Sequence, residues 1–110
     1  MKNYSIFISL LISSFFVFYS CKDDSSNDTT PPIISIIGDS TVYVGKDSVY
    51  TDLGAIATDE IDGDITSQIK IINPVNTSIT GKYQVKYNVS DKAGNAAIEK
   101  IRVVNVMVLK

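Results

Sequence analysis

Asp52, Asp59, Glu60, Asp62 and Asp64 crowd a stretch with no Lys or Arg between Lys46 and Lys70. Carboxylates gathered in this way repel one another, and a bound cation would relieve the repulsion. Their hard oxygen donors suit calcium. Asp59, Asp62 and Asp64 are the candidate ligands, yet Asp59-Glu60-Ile61-Asp62-Gly63-Asp64 lacks the EF-hand spacing and has no bidentate Glu at a twelfth position. A loop of Asx turns would use the same residues with no metal at all. The acids could also serve as a glycosidase pair, but that chemistry needs two of them fixed about 5–10 Å apart across a substrate cleft, and one small domain offers little cleft. Histidine is absent, which removes the commonest general base and the Ser-His-Asp arrangement together. The sequence therefore predicts no catalytic residue, no enzyme, and no cofactor other than that calcium.

The second chemically capable residue is the thiol of Cys21. It is the one cysteine in 110 residues, so no internal disulfide can form. The chain ahead of it begins with Lys2 and continues from Ile6 to Tyr19 without a charge. That run has the length of the apolar core of an export segment, roughly 7–15 residues, and falls short of the about 20 that a spanning helix needs. After Cys21 the chain turns at once to Lys22-Asp23-Asp24-Ser25-Ser26-Asn27-Asp28. Cleavage before Cys21 would let its thiolate be alkylated with diacylglycerol and the new N-terminus be acylated. Phe18-Tyr19-Ser20-Cys21 resembles the lipobox of bacterial lipoproteins, with small Ser20 before the cysteine, although Phe18 and Tyr19 depart from the usual Leu and small residue. An ordinary secretory signal cut elsewhere, with Cys21 incidental, is the alternative. Two or three acyl chains would hold the chain firmly, because burial contributes about 0.8 kcal/mol per methylene and a single chain anchors only marginally.

Lys22-Asp23-Asp24 resembles the acidic signal that some gram-negative bacteria use to send lipoproteins across the outer membrane. The resemblance implies a lipid-anchored outer-membrane protein facing the cell surface, with a periplasm-facing location as the alternative. Asp28-Thr29-Thr30 resembles a short O-glycosylation motif of exported proteins in such bacteria, which makes Thr29 a candidate acceptor.

These assignments divide the chain into a signal peptide over residues 1–20, a lipidated cysteine with a flexible tether over 21–32, and a folded unit over 33–110. The tether is polar and stiffened by Pro31-Pro32, so it cannot build a core. From Ile33 onward, short β-branched and aromatic runs alternate with turn residues, as in an all-β sandwich or barrel. The runs predict strands over 33–37, 41–44, 55–58, 69–72, 77–80, 82–90 and 96 to about 108. Tyr83, Val85, Tyr87 and Val89 alternate with Lys82, Gln84, Lys86 and Asn88, which sends one row to the core and the other to water. Asp91-Lys92-Ala93-Gly94-Asn95 then predicts a hairpin turn. In the last strand Ala97, Ile101 and Val103 suit one face, but Glu99 breaks that row while Ile98 and Val104 fall on the other. A β-bulge near Glu99 or partial cover on both faces would explain this.

Val44-Gly45, Tyr50-Thr51-Asp52-Leu53-Gly54-Ala55, Ala57-Thr58-Asp59, Asp62-Gly63-Asp64-Ile65-Thr66, Gly81 to Tyr87 and Ser90 to Asn95 follow in order the pattern of the bacterial surface immunoglobulin-like domain family. That family also supplies modules to certain pesticidal crystal proteins and is similar to the hyalin-repeat domains. The resemblance covers roughly Ile33 to Val106. It implies an immunoglobulin-like seven-stranded β-sandwich used for adhesion, binding or spacing. Gly81-x-Tyr83-x-Val85 has the layout of the tyrosine corner, which aims Tyr83 at backbone near the preceding turn, and Ile69 or Ile71 would stand where such domains bury a Trp.

The partners that follow are a membrane, reached through the lipid, and a glycan or protein ligand. A formal net charge of −2 and a pI near 4.8 exclude nucleic acid, which needs a basic face. Lys82 and Lys86 share one face about 13 Å apart by strand rise, with Lys100 and Arg102 expected beside them. Such a face could meet an anionic polysaccharide or be a solvated surface only. Docking on a larger envelope complex is the second role the sequence allows.

Overall fold

The computed structural model describes residues 27–110. The expected export segment, Cys21 and Lys22-Asp23-Asp24 lie outside the described residues. Among the described residues the strands are β1 (Ile33–Ile36), β2 (Thr41–Gly45), β3 (Ala55–Asp59), β4 (Gly63–Asp64), β5 (Lys70–Ile72), β6 (Gly81–Asn88) and β7 (Lys100–Met107), with a 3-10 turn at Thr66–Gln68. They form two sheets, one ordered β1-β3-β4 and the other β2-β7-β6-β5. All pairings are antiparallel except β2 with β7. The all-β, two-sheet architecture is the one the strand spacing predicts.

The chain changes sheets between β1 and β2. Gly38 makes the change with φ +85, and a Cβ built there would lie 2.9 Å from Leu53 Cδ1. Both the left-handed backbone and the contact favour glycine. β1 then lies in one sheet while β2 runs alongside the final strand in the other.

Alternation decides which side of each strand is buried. Ile34 on β1, Ala55 and Ala57 on β3, Val85 and Tyr87 on β6, Val89 just beyond it, and Val104 on β7 belong to one apolar core. Lys82 and Gln84 on β6 are exposed, so the two rows read from the sequence of that strand face as expected. Of the two isoleucines, Ile69 packs against the core while Ile71 is 47% exposed.

The phase of the last strand has a definite cause. Tyr87 pairs with Lys100 and Ser90 with Ala96, which sets three steps on one strand (90 − 87) against four on the other (100 − 96). The extra residue is a bulge, and it switches the buried row from Ala97 to Arg102, Val104 and Val106. Ile101 and Val103 are half-buried on the opposite face, where they pair with Lys86 and Gln84. Bulge and partial cover on both faces therefore occur together, and the core row is not the Ala97, Ile101, Val103 series.

Two further expectations are corrected. Residues 77–80 form a turn, because Asn76 Oδ1 accepts from Ser78 N at 3.0 Å and from Ser78 Oγ at 2.6 Å, and this local Asx geometry overrides the β-propensity of Thr-Ser-Ile-Thr. Gly63–Asp64, read as loop, instead pairs with Asp59 and Thr58.

Candidate functional site

Two constellations of polar side chains stand at opposite ends of β3. Near its start is Asp52, whose Oδ1 accepts from Arg102 Nη1 at 2.7 Å and from Tyr50 Oη at 2.5 Å. Its Oδ2 accepts from Tyr87 Oη at 2.6 Å and from Gly54 N at 3.0 Å. Arg102 is 1% exposed and uses its remaining donors on the sheet change: Nε bonds Asp39 O at 2.9 Å and Nη2 bonds Ile37 O. Burial works to raise the Asp52 carboxyl, but hydrogen bonds from Tyr50, Tyr87 and Arg102 outweigh it and hold the group below its ordinary range. Burial, and next the Asp52 carboxylate, push the hydroxyls of Tyr50 and Tyr87 above theirs. Burial would lower Arg102, yet its bond to the Asp52 carboxylate outweighs this and raises it, so the pair stays ionised. These bonds turn inward and join the β1–β2 connection, β6, β7 and the segment before β3.

Arg102 therefore does not lie beside Lys82 and Lys86. It pairs in register with Val85, and Lys100 with Tyr87, on the inward row, while Lys82 and Lys86 pair with Asn105 and Ile101 on the outward one. The bulge that shifts the phase of the last strand causes this reversal. Lys70, opposite Asn88 on β5, stands on the lysine face instead.

The second constellation lies past the end of β3. One carboxylate oxygen from each of Asp28, Asp59 and Asp62 falls within 4.8 Å of the others. Asp59 is 5% exposed. Its Oδ2 accepts from the amides of Ile61 and Asp62 at 3.0 and 2.9 Å, while its Oδ1 is buried without a hydrogen-bond partner. Asp28 repeats the pattern, with Oδ1 accepting from Thr30 N at 3.1 Å and Oδ2 buried without a partner. Asp62 Oδ2 accepts from Lys92 N at 2.8 Å. Loss of solvent, and the nearby carboxylates of Asp59 and Asp91, push the Asp28 carboxyl above its ordinary range. Asp91 closes its own turn as its sequence suggests, accepting from Asn95 N at 2.8 Å and Asn95 Nδ2 at 3.0 Å. Asn95 Nδ2 also bonds Asp28 O at 2.9 Å. The docked part of the chain thus begins ahead of Ile33, and Pro32 is buried with it.

Of the sequence-based ligand candidates, Asp59 and Asp62 come together. Asp64 is exposed on β4 and accepts from Thr66 N at 2.9 Å, outside the group of three. Asp52 lies in the other constellation, where Arg102 supplies its positive charge. Asp28 is the member that sequence reasoning missed: it sits far from the acidic stretch, in a polar segment that looks like any tether. Thr29, the candidate glycosylation site, is exposed beside it. Cys21 lies outside the described residues.

With two sheets, the tyrosine corner that Tyr83 Oη makes on Asn76 O and Ile79 O, and a chain that changes sheets between β1 and β2, the domain has an immunoglobulin-like architecture. The family model described as "Bacterial surface protein, Ig-like domain" matches residues 34–106, and the chain belongs to that family. The pesticidal crystal protein Cry22Aa of Bacillus thuringiensis is 47% identical over 55 residues, which span 49% of this chain and 8% of that protein. Among solved structures, lipoprotein BT2262 of Bacteroides thetaiotaomicron superposes with a TM-score of 0.62 at 25% identity, covering 72% of this chain and 39% of the other. A Clostridium perfringens ZmpB structure, described as CBM51-2 in complex with GlcNAc and INT domains, gives a TM-score of 0.54 at 32% identity, covering 71% of this chain and 17% of that one. The chain thus spans well under half the length of these relatives.

Proposed function

We propose that the protein is a non-catalytic lipoprotein of the bacterial envelope, anchored in the outer membrane through acylated Cys21 and presenting its sandwich at the cell surface as a binding or spacer module. The observation that carries this reading is the membership of residues 34–106 in a family of bacterial surface domains, in a chain whose Cys21 divides an apolar run from a polar one. The fold it shares with a Bacteroides lipoprotein supports the same reading. The buried polar network favours a non-catalytic role, because Asp52, Tyr87 and Arg102 are engaged with one another and with backbone. A group that must meet a substrate needs a free face.

A glycan ligand fits the ZmpB likeness, since that structure holds GlcNAc, and the outward Lys70, Lys82 and Lys86 would suit an anionic one. A second reading, docking on a larger envelope complex, draws support from β5. It is the edge of its sheet, and Ile71 and Ile72 are 47% and 59% exposed there, an arrangement suited to strand addition. A glycan array and an envelope pull-down with the mature chain separate the two. Saturable glycan binding supports the first, a stable protein partner without glycan binding supports the second, and turnover of any polysaccharide would contradict both.

A further inference from the structure

We propose that Asp28, Asp59 and Asp62 form a calcium site that clamps the tether to the end of the sandwich. Two oxygens on one calcium ion, each at about 2.3–2.6 Å, lie no more than about 5 Å apart. The three carboxylates already meet that limit, at 4.8 Å or less. Buried oxygens without a partner are rare in folded proteins and require an explanation. Here two of them, Asp28 Oδ2 and Asp59 Oδ1, belong to this one group. The other oxygen of each is held by backbone amides, and a Lys92 amide fixes Asp62, so the carboxylates are oriented before any ion arrives. Among the described residues the ion pairs are Lys46 with Asp47 and Arg102 with Asp52, so neither neutralises this cluster.

The donors select the ion. The group offers oxygen alone, which suits hard cations and gives no advantage to zinc or copper. Three carboxylates of irregular arrangement, completed by water, suit the flexible coordination of calcium better than the strict octahedron of magnesium. So few protein ligands place the affinity in the range of extracellular calcium modules, about 0.1–1 mM. The ion would join Asp28, from the segment leading out of Cys21, to the β3–β4 turn, so calcium decides how firmly the tether is held. This holds whether or not Cys21 is acylated.

The test is thermal unfolding of the full chain in detergent, in chelator, in 5 mM calcium and in 5 mM magnesium. Calcium is expected to raise the melting temperature by about 5–10 °C at that excess over the dissociation constant, and magnesium by much less. Asp59→Asn and Asp28→Asn should each abolish the rise and, in chelator, melt above the wild type, because each removes repulsion that only the ion relieves. A residue of purely structural importance would not show that reversal. Asp64→Asn should keep the full rise. Equal melting temperatures in calcium and chelator, an equal response to magnesium, a full rise in Asp28→Asn, or its loss in Asp64→Asn would each overturn the proposal.

Discussion

Arg102 Nη1 stands 2.7 Å from Asp52 Oδ1, with the two side chains 2% and 9% exposed. This ion pair bridges β7 and the segment before β3, and the same guanidinium bonds Ile37 O and Asp39 O on either side of the residue where the chain changes sheets. The domain therefore closes this end with a buried charge network.

Breaking one side of such a pair leaves a buried charge without compensation, which costs about 3–5 kcal/mol. Asp52→Ala and Arg102→Met should each lower unfolding stability by that order in urea titration. The double variant should lose less than the sum of the two, because it removes both charges. Arg102→Lys should also be destabilised, since an ammonium cannot reach Asp52, Ile37 O and Asp39 O at once.

The same network sets the pH response. Asp52 is held below its ordinary value in the folded state, so its contribution is present above about pH 4, the unfolded carboxyl value, and is lost as pH falls through the folded one. Tyr87 is raised, so its contribution is present below about pH 10 and is lost as pH rises. Unfolding free energy measured from pH 3 to 11 should show a plateau with a decline at each end. Asp52→Asn should flatten the acid limb.

Tyr83 Oη donates toward Asn76 O at 3.0 Å and Ile79 O at 2.7 Å, tying the start of β6 to the turn before it. Tyr83→Phe keeps the ring and removes the bond. Chemical denaturation should report a loss of about 1 kcal/mol.

The sequence shows some of these relationships plainly and hides others, for physical reasons. The strict alternation of β6 made its buried row readable, and Gly81-x-Tyr83-x-Val85 announced the corner that Tyr83 makes. The turn at Asp91 to Asn95 was equally legible, because its bonds are local. Alternation alone puts Arg102 on a solvated face, because one extra residue between Ala96 and Lys100 inverts every side chain after it and periodicity cannot locate such a residue. Asp52 looks like one more member of the acidic stretch because its partner lies 50 positions away. The cluster of Asp28, Asp59 and Asp62 was half visible: the β3–β4 turn holds two members, but nothing local marks Asp28 as their neighbour.

We propose that the sandwich is held at a membrane through the Cys21 thiol, and metabolic labelling with palmitate reads that attachment itself. Wild-type protein should carry label and partition with membranes, while Cys21→Ala should carry none and be released. Unlabelled wild type, or a Cys21→Ala variant that remains in the membrane fraction as firmly as the wild type, would rule out a lipid anchor at Cys21.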